Sequence, residues 1–194
     1  MRASCRRLTS WPNRLWVLGC ALIAGLVLGL AGAHAEDAAP KTLHSIAVLP
    51  FELVDDQNNP ATRSAQELRL QQSTERLRKD LLDRQLYRVA DASPSDALQS
   101  KLRSEQEYLY RCDDCASQVG HLLNVDLVMT AWVQKVSELI LNLNVQIYDV
   151  RAEKLAFSKS VDMRGNTDES WQRAVDYLVR DMAEKRERNP NYAQ

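Results

Sequence analysis

The chain has 194 residues, 45% of them hydrophobic and 26% charged, and its 25 basic and 26 acidic side chains nearly cancel. That size holds one ordinary domain. Charge so balanced lacks the basic excess that nucleic acid or an anionic membrane surface requires of a partner. The basic charge is also unevenly placed. Arg2, Arg6, Arg7 and Arg14 stand in a head without any acid, an apolar run follows from Leu15 to Ala31, and Ala33-His34-Ala35 precedes Glu36 and Asp37. These are the parts of a secretory signal, with cleavage expected after Ala35 and a periplasmic location for the product. Removing the signal takes away four Arg and no acid, leaving 21 basic against 26 acidic residues and a net charge of −5. If uncleaved, the run is long enough for a short membrane anchor, and that segment would be the membrane contact. Cys20 follows Val17-Leu18-Gly19 in the manner of a lipoprotein site, but the run stays apolar well beyond it, which counts against that reading.

Residues 36–44 read as a flexible start, 45–185 as one α/β domain and 186–194 as a disordered tail. Ile46 to Phe51 is a continuous apolar run containing Pro50, the pattern of a strand buried on both faces. Asp55 to Pro60 is a polar loop with Asn58-Asn59-Pro60 as turn chemistry. Leu70, Thr74, Leu77 and Leu81 recur at helical spacing and predict a helix over about 62–85. A short strand at Tyr87 to Ala90 and a turn around Pro94 lead to helices over about 96–110 and 116–123. Val125 to Val136 is a strand. In Leu139 to Val150 the residues Leu139, Leu141, Leu143, Val145 and Ile147 alternate with Asn142, Asn144 and Gln146, the period of a half-buried antiparallel strand. Lys154 to Met163 follows, with Leu155, Phe157 and Val161 inward. The last helix carries Trp171, Val175, Leu178 and Met182 on one stripe, and Asn166 with Glu169 resembles a capping box at its start.

A two-residue turn at Ser137-Glu138 would set Val133 against Asn142. An odd, three-residue loop instead pairs Val133 with Leu141 and Ala131 with Leu143, which keeps the inward residues on one face. The order β-α-β-α-α-β-β-β-α predicts an α+β, mixed α/β fold: a single sheet of about five strands with helices packed on one face.

Cys112-Asp113-Asp114-Cys115 is the only cysteine pair after the signal, and an oxidising compartment would bond the two as a structural disulfide. A redox dithiol is the alternative, although two aspartates between the sulfurs would raise the thiol pKa. Zinc would need two further ligands at matching spacing. His44 and His121 stand near no nucleophile in sequence, and Gly120 and Gly165, the only glycines after the signal, make no phosphate-cradling loop. No catalytic residue, metal or cofactor is assigned. By the register above, the outward face of the last three strands carries Thr130, Trp132, Gln134, Asn142, Asn144, Gln146, Ser158, Ser160 and Asp162. It is polar, nearly uncharged and holds one large aromatic. Such a face is either an ordinary wet surface, with Trp132 lone or covered, or a docking surface in which Trp132 supplies apolar area and the amides supply direction.

Ile46-Ala47-Val48-Leu49-Pro50-Phe51, a helix, and Tyr87-Arg88-Val89-Ala90-Asp91 resemble the opening of the amino-terminal domain of TolB and of CsgG-type envelope proteins. Ala131 to Ser137, Leu139 to Asn144 and Asp162 to Trp171 are similar to a family of small exported proteobacterial proteins classed as a domain of unknown function. That likeness spans about residues 45–182 and includes Cys112 and Cys115. It implies an association with periplasmic quinoprotein (pyrroloquinoline quinone) alcohol-oxidation systems and brings no active site with it. It also directs attention to Arg164, Asn166 and Asp168 in the turn before the last helix. The sequence thus reads as a non-enzymatic periplasmic accessory protein. It would bind another envelope protein through Trp132, Gln134, Asn142, Asn144, Asp162, Arg164, Asn166 and Asp168. A small-ligand, cofactor-binding or chaperone-like module is the alternative, and a thiol oxidoreductase at Cys112/Cys115 the third.

Overall fold

The computed structural model describes residues 42–55, 57 and 59–194. The expected signal, its cleavage point, Cys20 and residues 36–41 lie outside the described residues. The elements are β1 (Ser45–Val48), β2 (Glu52–Asp55), α1 (Pro60–Asp83), β3 (Arg88–Ala90), α2 (Asp96–Glu105), α3 (Cys115–Leu123), β4 (Leu127–Lys135), β5 (Ile140–Asp149), β6 (Lys154–Arg164) and α4 (Asp168–Arg188). Short 3-10 turns occupy Ser93–Ser95 and Leu109–Arg111.

Pro50 divides the first apolar run. β1 pairs in parallel with the start of β4, Ile46 opposite Leu127 through Val48 opposite Met129. Leu49 still donates to the Met129 carbonyl at 2.9 Å. Pro50 has no N–H to offer, and the ladder breaks there. It resumes in β2, with Glu52 opposite Trp132 through Asp55 opposite Lys135. The result is one mixed sheet of six strands in the order β3-β1-β4-β5-β6, with β2 continuing along β4 beyond β1. The sixth strand, β2, is one the sequence pattern did not assign, since the expected strand ended at Phe51 and the expected loop began at Asp55.

The expectation that all helices lie on one face is corrected by the packing. Ile46, Val48, Met129, Ala131, Val133, Leu141, Leu143 and Val145 meet Leu77 and Leu81 of α1 and Trp171, Val175, Leu178 and Met182 of α4. Ala47, Leu49 and Val128 point the other way, against Leu102 of α2 and Cys115 and Val119 of α3. A strand apolar on both sides needs cover on both, so β1 draws helices to each face. We call the α1/α4 side the first face and the α2/α3 side the second.

Four local readings also shift. The β4–β5 loop is odd in length, as expected, but Val133 pairs with Leu143 and Lys135 with Leu141, two residues from the expected register. In β6 a bulge at Ala156 breaks the alternation, so that Ile147 faces Phe157 while Tyr148 faces Leu155. Leu155, expected inward, therefore turns to the second face and is exposed. The helix expected over 96–110 stops at Glu105, and a separate 3-10 turn follows. At α4 the cap is Thr167 rather than Asn166, its hydroxyl and that of Ser170 bonding reciprocally to each other's backbone amides.

The C-terminal residues, expected as a disordered tail, fold back on the domain. α4 continues to Arg188, the Tyr87 hydroxyl donates to the Ala193 carbonyl, and Tyr192 meets Phe157 edge-on at 5.3 Å. Tyr87 is buried, which holds its phenol protonated up to about pH 12. Among the described residues, no helix is long and apolar enough to cross a membrane.

Candidate docking face

α2 and α3 cover the β1 side of the second face and the Tyr148 end of β5, and the rest of β5 and β6 is left bare beside them. The uncovered part carries the residues predicted from alternation, except that Thr130 is buried. Trp132, Asn144 and Ser160 lie in one row across β4, β5 and β6, Gln134, Asn142 and Asp162 in the next, and Thr130, Gln146 and Ser158 in the row on the other side. Asn142 Nδ2 donates to Asp162 Oδ1 at 2.7 Å, and Asn144 Nδ2 to the Asn142 carbonyl at 3.2 Å. These bonds hold the amides flat along the sheet.

Trp132 is not the free anchor expected of it. It is half-buried, and the Tyr110 ring lies on it with centroids 3.9 Å apart and planes 6° from parallel. Tyr108 follows at 5.6 Å from Tyr110, and the Arg111 guanidinium sits 5.3 and 5.4 Å from the two tyrosine rings. Stacked rings of this kind contribute beyond their buried area, and a guanidinium over them adds cation–π attraction. The polar face is therefore bordered by an aromatic ledge of Trp132, Tyr110 and Tyr108, edged by a cation.

Two devices hold the ledge. Glu52 stands opposite Trp132 in β2, and its carboxylate accepts from the amides of Leu109 and Tyr110 at 3.0 and 3.4 Å, with Arg103 Nε at 3.5 Å. It anchors the turn that carries Tyr110. The Cys112–Cys115 disulfide ties the same turn to the first residue of α3. Cys115 is fully buried and Cys112 half-buried. Cys112, Asp114 and Cys115 form the one trio of potential metal ligands among the described residues, and the bond between the sulfurs removes two of the three donors. Between ledge and bulge lies an open cleft of about 310 Å³ lined by Tyr110, Thr130, Gln146, Tyr148 and Leu155.

Of the predicted turn residues, Asn166 and Asp168 do not join this face. Arg164 ends β6 opposite Ile140, two residues beyond Asp162 and on the same side of the strand, exposed at the end of the face. Asn166 and Asp168 belong to a polar network on the first face that sequence reading missed. At its centre is Lys135, whose side chain has no exposed surface and whose Nζ lies 3.1 Å from Asp55 Oδ2 and 2.6 Å from Glu138 Oε1. Asn166 Nδ2 donates to Glu138 at 2.9 Å, Trp171 Nε1 donates to Asn166 Oδ1 at 2.9 Å, and Arg69 pairs with Asp168 at 2.6 Å. Burial pushes the Asp55 carboxyl up, but bonds from Lys135 and the Gln57 amide outweigh it and hold the group below the usual carboxylate range. Lys135 and Asn166 likewise hold Glu138 down. The available signal was parity: Lys135 falls on the inward set of β4.

The architecture is thus a single-sheet mixed α/β domain with one framed, uncovered polar face. By sequence the chain belongs to the DUF3280 family, described as "Protein of unknown function (DUF2380)", which matches residues 44–182. No curated protein matches it. Among solved structures it is similar to the LpoB C-terminal domain from Salmonella enterica, at 12% identity and TM-score 0.45 over 63% of this chain and 84% of that one. It is similar also to TolB from Acinetobacter baumannii, at 11% identity and TM-score 0.45 over 77% of this chain and 29% of that one. A third is lipoprotein GNA1162 from Neisseria meningitidis, at 14% identity and TM-score 0.41 over 73% of this chain and 99% of that one.

Proposed function

We propose that this chain is a non-enzymatic accessory protein of the bacterial envelope, exported by its N-terminal signal, that docks another envelope protein on the bare part of the second face. The observation carrying this reading is the uncovered row of Asn142, Asn144, Gln146 and Ser160 beside the fixed Tyr110–Trp132 stack. A rigid aromatic border with directional amides beside it is the composition of a protein-binding surface. The cleft beside the face is open, which suits a macromolecule better than a small ligand. Asp162 extends the face. Arg164 closes it at the hairpin end, while Asn166 and Asp168 belong to the first-face network and are dropped from the contact set. The disulfide fits a structural role, since it secures the turn that carries Tyr110.

A photo-crosslinking amino acid at position 144 tests the reading in envelope preparations from the producing cell. One defined protein adduct should form from 144 and not from position 68, on the exposed side of α1. Equal labelling from both positions, or no protein adduct from 144, would rule the face out.

A further inference from the structure

β6 is the open edge of the sheet. It pairs with β5 alone, and its 11 residues contrast with the 3 of β3 at the opposite edge. A long bare edge invites a further strand, and proteins blunt such edges with bulges, short strands and inward-pointing charges. Here the blunting covers one half only. The Ala156 bulge and the inward Lys159, paired with Asp181, guard the Lys154 end. Residues 160–164 carry neither device.

The ladder shows which backbone groups of that half are free. Gly165 donates to the Leu139 carbonyl at 3.1 Å, and the same parity makes Leu141 with Met163 and Leu143 with Val161 the bonded pairs. Bonded and non-bonded pairs alternate along an antiparallel ladder. Ser160, Asp162 and Arg164 therefore turn both N–H and C=O away from β5, toward the open edge, and all three residues are exposed. Beside this edge an open groove of about 480 Å³ runs between β6 and α4. Buried Val161, Met163 and Ala174 form its floor, and the exposed Tyr177 and Arg173 stand at its rim.

An extended peptide answers both features at once. Its main chain completes the free backbone groups, and every second side chain turns into the groove. Charge selects which peptide. Arg164 pairs with no acid among the described residues, and Arg173 meets only Glu169, in an exposed i,i+4 pair that is worth little. A second copy is the poorer occupant, since β6 carries Lys154, Lys159 and Arg164 against Asp162 alone and would set one basic strand against another.

We propose that residues 160–164 bind an extended acidic segment of another protein by β-strand addition. The added strand runs antiparallel to β6 and bonds to the backbone of Ser160, Asp162 and Arg164. It lays an aliphatic side chain over Ala174 beside Tyr177 and brings a carboxylate to Arg164. This edge borders the docking face at Arg164 and does not rest on the docking proposal.

The probe is the acetylated, amidated peptide Glu-Val-Thr-Val-Thr, which places Glu opposite Arg164 and its Val residues opposite Met163 and Val161. Amide hydrogen exchange on the full-length chain should slow several-fold at Ser160, Asp162 and Arg164 when the probe is added. Methylating the two Thr amide nitrogens should weaken binding roughly tenfold, since it removes donors to the edge. Exchanging Glu for Lys in the probe should weaken it too, and Arg164→Glu should reverse that preference. Asn144→Arg, in the middle of the docking face, should change nothing. Absence of protection at the three amides, or binding that survives methylation, would overturn the proposal. So would loss of binding in Asn144→Arg, which would move the peptide to the docking face, or protection that grows with protein concentration without peptide, which would give the edge to a second copy.

Discussion

Lys135 is the residue whose surroundings differ most from what its type suggests. A lysine with no exposed surface persists only because Asp55 and Glu138 neutralise it. Removing one member of a buried pair leaves the other charge without a counterion. Lys135→Met should therefore lower stability by about 3 kcal/mol at neutral pH, read as a shift of the urea midpoint without loss of cooperativity. The pH dependence has a definite sign. The folded pKa of Asp55 is depressed, so its contribution is present above its unfolded value of 3.8 and is lost as the pH falls through the lower folded value. The deficit of the variant should shrink in acid, where Asp55 becomes neutral in both proteins. A deficit independent of pH would mean that Lys135 acts through packing alone.

At the level of elements, close approach and restraint decide the second face. α3 lies against β4 and β5 because Gly120 has no side chain; a Cβ there would collide with Val150 Cγ2 and sit 3.1 Å from Val128 Cγ2. Gly120→Ala should cost on the order of 1–3 kcal/mol, measured by thermal or urea unfolding, and an unchanged midpoint would show that the helix shifts freely. The disulfide and Glu52 both restrain the Leu109–Arg111 turn. Cys112→Ser with Cys115→Ser should leave the sheet intact and loosen Tyr110 from Trp132, seen as a changed tryptophan emission with little change in far-ultraviolet circular dichroism. If the emission is unchanged, Glu52 alone holds the ledge.

These elements also show what could be read in advance. The period-2 alternation of Leu139 to Val150 was legible because side-chain parity survives any even shift, and so the polar face was placed correctly although the register moved by two residues. The Ala156 bulge was not legible: an inserted residue leaves no mark in the pattern until its partner strand is known. Tyr110 on Trp132 and the pairing of Lys135 with Asp55 were out of reach because each joins residues far apart in sequence, and only the inward parity of Lys135 was legible.

For the whole molecule, the central fact is asymmetry of cover. Two long helices close the first face, two short ones close half of the second, and the rest of the second face is bare but ordered. The both-sided apolar run at Ile46 to Leu49 already required two covered faces, a consequence that a one-sided layer count overlooks. On the proposed function, a partner sits on the bare part. The most direct measurement is affinity capture from envelope extracts with the tagged chain, beside Asn144→Arg at the centre of the face and Leu68→Ala on α1, each first shown to unfold at the same temperature. One defined protein recovered with the unsubstituted chain and with Leu68→Ala, and lost with Asn144→Arg, is the predicted result. Undiminished recovery with Asn144→Arg, or no specific protein with any of the three, would contradict it.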